Sequence, residues 1–295
     1  MVSKSIVIVV LVLTLVTMAC GIQVDLPEVN IPIDEIQVGP MQTETVSIPA
    51  PPAGEARLKI GFGAGELRLS PGAAASVLVE GTASYNVVDL KPTITVEGES
   101  IQLKTGDLEI SGFPRIRGTN IKNEWDLKLG SMPMDLSIEA GAYKGEFELG
   151  NLALKSLEVG DGAADVNLSF SAPNLVPMSS LRYNTGASQV RLSGLANANF
   201  SSMTFRSGAG DYLLDFSGIL QRDATVNIES GISQLVIVVP ASINANVKVE
   251  SSLTKVTALG VWEQSGGDYF LSGSGPTLTV YITMGAGSLE LRNVP

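Results

Sequence analysis

The stretch Met203–Gly218, MTFRSGAGDYLLDFSG, decides the fold. Met203 and Phe205 are apolar, with Thr204 and Arg206 alternating against them. After Gly208 and Ala209, the alternation resumes with Tyr212 and Leu214. A period of two on both sides of a glycine reads as strand, corner, strand. The glycine is expected to supply the positive φ of a tight reversal. The alanine after it suits a corner too narrow for a larger side chain.

The same frame recurs along the chain. Its corner glycines are Gly63, Gly141, Gly162, Gly186, Gly208, Gly231 and Gly285, with Ser252 in the slot of a degenerate copy. Five residues before the corner lie Leu58, Leu136, Leu157, Leu181, Met203, Val226, Val247 and Val280. Six residues after it lie Leu69, Phe147, Leu168, Leu192, Leu214, Ile237, Ala258 and Leu291. From Gly141 to Ser252 the corners are 21 to 24 residues apart. A period of that length signals stacked units, each too thin to bury its own apolar side chains, so that its neighbours must cover them. The prediction is an all-β chain: a β-solenoid of stacked rungs of about 22 residues over 131–295, preceded by a smaller N-terminal β module over 46–130. A hairpin insertion near 258–277 carries Trp262, Tyr269 and Phe270 around Gly266–Gly267. It reads either as a cap on an open solenoid end or as a partner-binding hairpin.

Composition narrows the chemistry. The 295 residues carry 19 Lys+Arg against 30 Asp+Glu, a net charge of −11. Such a balance disfavours nucleic acid and anionic headgroups as direct partners. Histidine is absent, which removes the commonest general base and zinc ligand. Cys20 is the single cysteine, so disulfides and thiolate metal sites are excluded. GFGAGE, at Gly61–Glu66, lacks the helix that a dinucleotide fingerprint requires. Asp161, Asp165, Asp211 and Asp215 lie near corners, but three residues after each glycine that column is interrupted by Lys144 and Lys255. It therefore builds no ladder of oxygens for calcium, although an isolated site stays open. No catalytic residue, cofactor or metal is expected.

The N-terminus reads as an address. Lys4 precedes the apolar run Ile6–Met18, too short for the roughly 20 residues of a spanning helix and suited to a signal peptide over 1–19. Ala19-Cys20-Gly21 resembles a bacterial lipoprotein signal, which implies lipid on Cys20 and a membrane anchor. An uncleaved signal anchor or simple secretion are the alternatives. Residues 20–45, with Pro27, Pro32, Pro40 and no basic residue, read as an acidic tether. The alternation of Val29, Ile31 and Ile33 leaves an edge strand open there.

Leu58–Leu69 (LKIGFGAGELRL), Leu136–Leu152 (LSIEAGAYKGEFELGNL) and Met203–Gly218 together resemble the toast-rack family of bacterial extracytoplasmic β-solenoids, over about 46–295. Related domains occur on LiaF-like envelope stress-response proteins, and the family offers no established catalytic residues. The resemblance implies an accessory, sensing or assembly role at the envelope. The expected function is a lipid-anchored binding, scaffold or sensing module, with an envelope protein or glycan as partner and no nucleic acid. The rival readings are a polysaccharide-acting enzyme and a structural envelope spacer.

Overall fold

The computed structural model describes residues 35–106, 115–117 and 121–294. Its strands are β1 (Glu35–Gln37), β2 (Gln42–Pro49), β3 (Ala56–Pro71), β4 (Val77–Tyr85), β5 (Thr93–Glu97), β6 (Ser100–Lys104), β7 (Arg115–Arg117), β8 (Asn123–Leu129) and β9 (Met134–Glu148). They continue with β10 (Leu154–Ser169), β11 (Met178–Ser193), β12 (Phe200–Asp215), β13 (Ala224–Pro240), β14 (Asn244–Leu259), β15 (Glu263–Ser265), β16 (Asp268–Leu271) and β17 (Thr277–Val294). The helical pieces among the described residues are two short 3-10 turns, Val88–Leu90 and Leu195–Ala198. The chain is nearly all-β, as the alternation predicts.

Eight long strands lie side by side in the order β3-β9-β10-β11-β12-β13-β17-β14, all parallel. Parallel neighbours sit about 4.8 Å apart, so the stack is about 34 Å long. The apolar columns stack residue on residue. Leu157 lies beside Leu136 and Leu181, and Leu181 lies beside Met203. Leu168 and Leu192 pair in the same way on the far side of the corner. These side chains are buried in one continuous core that runs from Val46 to Leu291. Burial of each contributes roughly 1.5–3 kcal/mol, and only the adjacent rungs provide it.

Each rung is one bent strand, not two strands joined by a turn. In β11 the buried residues nearest the corner are Leu181, Tyr183 and Thr185, then Ser188, Val190 and Leu192. Gly186 and Ala187 are both exposed between the two sets. Two successive outward residues shift the inward set by one position, and the apolar columns five and three before and four and six after the glycine follow from that shift.

The corner glycines serve a different purpose from the one expected. None of the seven has a positive φ. A Cβ on Gly141 would lie 2.4 Å from the carbonyl oxygen of Gly63, one on Gly186 2.5 Å from that of Gly162, and one on Gly231 2.5 Å from that of Gly208. Glycine is needed because the backbones of adjacent rungs touch at the corner. Positive φ occurs two residues later in some rungs. At Gly210 φ is 151°, and a Cβ would strike the Ser188 carbonyl oxygen.

The two ends of the stack differ. At one end β6 pairs with the first half of β3 and β8 with the second half. β5 extends the first arm, and β4 and β2 extend the second, all antiparallel. At the other end β16 pairs with the start of β14 and β15 pairs with β16. The last strand in sequence is not the last in space, because β17 lies between β13 and β14. β1 pairs with β7 in a separate two-stranded sheet.

Candidate ligand groove at the rung corner

Stacking in register carries the residues just before each glycine into rows across the rungs. The row two before the glycine reads Glu139, Gly160, Asn184, Arg206, Glu229 and Thr283. The next row contains Asp161, Thr185, Ser207 and Ser230. Together with Gly141 and Gly231, these rows line an open groove of about 1050 Å³, which Ala140 and, on a seventh rung, Phe62 complete.

The charged groups in the groove are paired. Arg206 forks onto Glu229 of the next rung, Nε donating to Oε2 at 3.1 Å and an Nη donating to Oε1 at 3.2 Å. The guanidinium holds the Glu229 carboxyl below its ordinary range, and the carboxylate raises the Arg206 pKa in return. Lys59 lies 2.7 Å from Glu139. These pairs are exposed, so they fix side-chain positions more than they stabilise the fold.

Under the groove lies a polar cluster inside the corner. Tyr183 donates to Asp161 Oδ2 at 2.7 Å, and the Thr185 hydroxyl reaches Asp161 Oδ1. Ser188 lies 2.6 Å from Thr185 and accepts the Ala164 N–H at 3.0 Å. Burial pushes the Asp161 carboxyl up, and the hydrogen bonds from Thr185, Tyr183 and Ser188 oppose it. Burial, and then the charge of Asp161, raise the Tyr143 phenol. Burial likewise raises Tyr183 well above its ordinary value. Further along, hydroxyls of Ser207, Ser230 and Ser233 form a chain with steps of 2.8 and 2.7 Å.

The arrangement offers hydroxyls, an amide and one Arg–Glu fork at the spacing of stacked strands. It suits many weak polar contacts to an elongated ligand. Asp165 and Asp211 are exposed and separated in their column by Gln189. Asp215 accepts bonds from the Ser217 N–H and hydroxyl. Among the described residues no group of three or more acidic, histidine or cysteine side chains gathers to hold a metal.

Trp262 and Tyr269 come together, their rings perpendicular with centroids 6.5 Å apart. Tyr269 is buried beside Val247 in register, and Trp262 packs on the core with its indole N–H unpartnered. Phe270, the next residue, is half-buried and pairs in register with Asn246 and Glu263. Cys20 lies outside the described residues. Among the described residues no helix is long and apolar enough to cross a membrane. The groove and the Asp161 cluster are absent from the sequence reading. The signal for both was the polar row one residue before the glycine, where Asp161, Thr185, Ser207 and Ser230 stand at one offset.

No curated protein matches the chain. Solved structures do. A crystal structure of a candidate cell adhesion protein from Clostridium sporogenes is similar at 20% identity, covering 86% of this chain and 100% of that one, with a TM-score of 0.49. A candidate adhesin from Bacteroides fragilis is similar at 11% identity, covering 88% of this chain and 100% of that one, with a TM-score of 0.36. A candidate lipid binding protein from Parabacteroides distasonis is similar at 12% identity, covering 89% and 100%, with a TM-score of 0.30. The model of the N-terminal domain of toast_rack, DUF2154, matches residues 37–175. That span takes in β2 to β10, from the covered end of the stack into its rungs. Over residues 37–175 the chain is similar to the N-terminal domain of the toast-rack family.

Proposed function

We propose that the chain is a lipid-anchored extracytoplasmic binding or scaffold module of the bacterial cell envelope, and that the corner groove receives its partner. The observation that carries the reading is the corner groove itself, lined by one row that crosses six rungs and a second that is polar on four of them. Glu229, held ionised by Arg206, and Glu139, held by Lys59, are engaged in pairs. That supports a binding surface over the acid–base pair of a polysaccharide-cleaving enzyme. The apolar run before Cys20 supports an anchor on that residue. An elongated envelope glycan or an envelope protein fits the groove. An accessory role in envelope-stress response rests on the family resemblance. The hairpin bearing Trp262, Tyr269 and Phe270 serves in this reading as an end cap.

Fractionation of cells expressing the wild type and Cys20→Ser tests the anchor. Release of the variant into the soluble extracytoplasmic fraction is expected, and unchanged membrane retention refutes lipidation. Binding to purified envelope glycan and crosslinking to envelope proteins tests the groove, with Arg206→Glu as the perturbed form. Loss of both signals in that variant is expected. Identical capture by wild type and variant refutes the groove as the binding surface.

A further inference from the structure

We infer that the corner groove takes an amino-sugar glycan, with a protonated primary amine of the ligand seated over Asp161; the inference rests on the groove being the binding surface. The lining of the groove is acidic. Glu139, Asp161 and Glu229 stand there against one cation, Arg206. Such a lining repels polyanions and favours a cationic or neutral ligand. Two of the three carboxylates already have their cation, since Lys59 takes Glu139 and Arg206 takes Glu229. Asp161 differs. Among the described residues no lysine or arginine pairs with it, and its hydrogen-bond partners are hydroxyls.

Those hydroxyls prepare the carboxylate without neutralising it. Tyr183 donates to Oδ2 at 2.7 Å, Thr185 reaches Oδ1, and Ser188 stands 3.5 Å from Oδ1. Each favours the ionised form, against the effect of burial. The short bonds from Tyr183 and Thr185 use one site on each oxygen, and a carboxylate offers about four. Asp161 is half-buried and lines the groove, so a ligand donor can reach it. A charged donor there makes a bond about twice as strong as a neutral one. The fixed hydroxyls also hold the carboxylate in place before the ligand arrives, which lowers the ordering cost of binding.

The rest of the groove selects the kind of molecule that carries the amine. The groove runs across the strands, not along one of them. Gly160 and Asp161 pair in register with β9 on one side and β11 on the other. Arg206 and Ser207 pair likewise with β11 and β13. These strands are engaged on both sides and present no edge onto which a peptide strand could add. The groups on offer are side chains: Asn184, Thr185, Ser207, Ser230 and Thr283. Adjacent rungs present them about 4.8 Å apart. Hydroxyls and an amide at such intervals match a molecule that itself carries hydroxyls along its length. A lysine-bearing peptide meets the same carboxylate but finds no backbone partner for its own N–H and C=O groups.

The test uses the purified full chain in detergent and two labelled probes in slightly acidic buffer. One is a short β-1,4-linked glucosamine oligomer, and the other is the same oligomer fully N-acetylated. Acetylation removes the amines and their charge and leaves the hydroxyls. Fluorescence anisotropy is expected to show the free-amine form binding at least tenfold more tightly. Gly160→Trp plugs the groove without altering charge, because a Cβ at Gly160 meets nothing within 4 Å. It should weaken binding of the free-amine form at least tenfold. Asp165→Asn, which removes an exposed acid outside the groove, should leave that binding unchanged, and Asp161→Asn should make the two oligomers equal. Equal binding of the two oligomers by the wild type, or binding of neither, overturns the inference. So does undiminished binding of the free-amine form by Gly160→Trp, the mark of diffuse attraction to a chain of charge −11. These comparisons need no change at Asp161, so they decide the matter even where Asp161→Asn fails to fold. A lysine oligomer that binds more tightly than the glucosamine oligomer and is blocked by Gly160→Trp overturns the choice of a glycan. The groove reading fails separately, if Gly160→Trp captures purified envelope glycan and envelope proteins as the wild type does.

Discussion

Replacing Gly186 with alanine tests the contact that sets the corner. Its Cβ would sit 2.5 Å from the Gly162 carbonyl oxygen and 3.4 Å from the carbonyl carbon. Ordinary contact begins near 3.4 Å, so the rungs must part at the corner by the better part of an ångström. The obstructing atom belongs to backbone, and no rotamer change relieves it. Overpacking of this kind costs about 1–3 kcal/mol, and the absence of a yielding side chain places Gly186→Ala at the upper part of that range. Gly63 provides the control. It holds the same slot in β3, but a Cβ there meets nothing within 4 Å, because β3 has no bent rung beyond it at the corner. Gly63→Ala should therefore change stability by less than about 0.5 kcal/mol. Urea unfolding followed by circular dichroism compares the two midpoints under identical conditions. Equal midpoints for Gly186→Ala and Gly63→Ala would refute the stacking argument. A large loss at Gly63 would restore the reading of a conformational requirement.

Leu214→Ala removes a fully buried column residue and should cost about 2–5 kcal/mol, read as a lower thermal midpoint. Lys248→Ala loses an exposed ammonium 5.4 Å from the Tyr281 ring centroid, and only about 0.5–1 kcal/mol is expected from that contact. Asp161 has its carboxyl pushed up by burial, so the folded state holds its proton more tightly than the unfolded chain. Stability from this group is thus greatest at low pH and falls as pH rises from the ordinary aspartate value through the folded one. Urea midpoints taken across that window should show the wild type losing ground to Asp161→Asn as pH rises, and a constant difference would exclude the titration.

The long-range order of the fold was legible because it repeats. Leu157, Leu181 and Met203 share one offset from a glycine in sequence and one column in space. Repetition also misled. A glycine between two alternating runs reads as a reversal when only one rung is considered. The contact that demands it lies on the neighbouring rung, beyond any local window. The position of β17 was hidden for a related reason, since spacing along the chain orders the rungs but not their places in the stack. The polar groove went unread because Asp161, Thr185, Ser207 and Ser230 share an offset but span three residue types. Their common property is visible only once the rungs are stacked. The hairpin aromatics were found by composition, yet their division between Trp262 with Tyr269 and the lone Phe270 depends on strand alternation within β16.

The place of β17 has a consequence for assembly. β14 leaves the chain before β17 does, yet it has no seat on β13, because the final strand occupies that seat. In the folded stack β14 and its hairpin are therefore joined to the other rungs through the 18-residue β17. β17 thus acts as a bolt between two strands that precede it in sequence. Removing β17 would free β14 as well, so the length at risk from a small terminal deletion is about one-sixth of the whole chain.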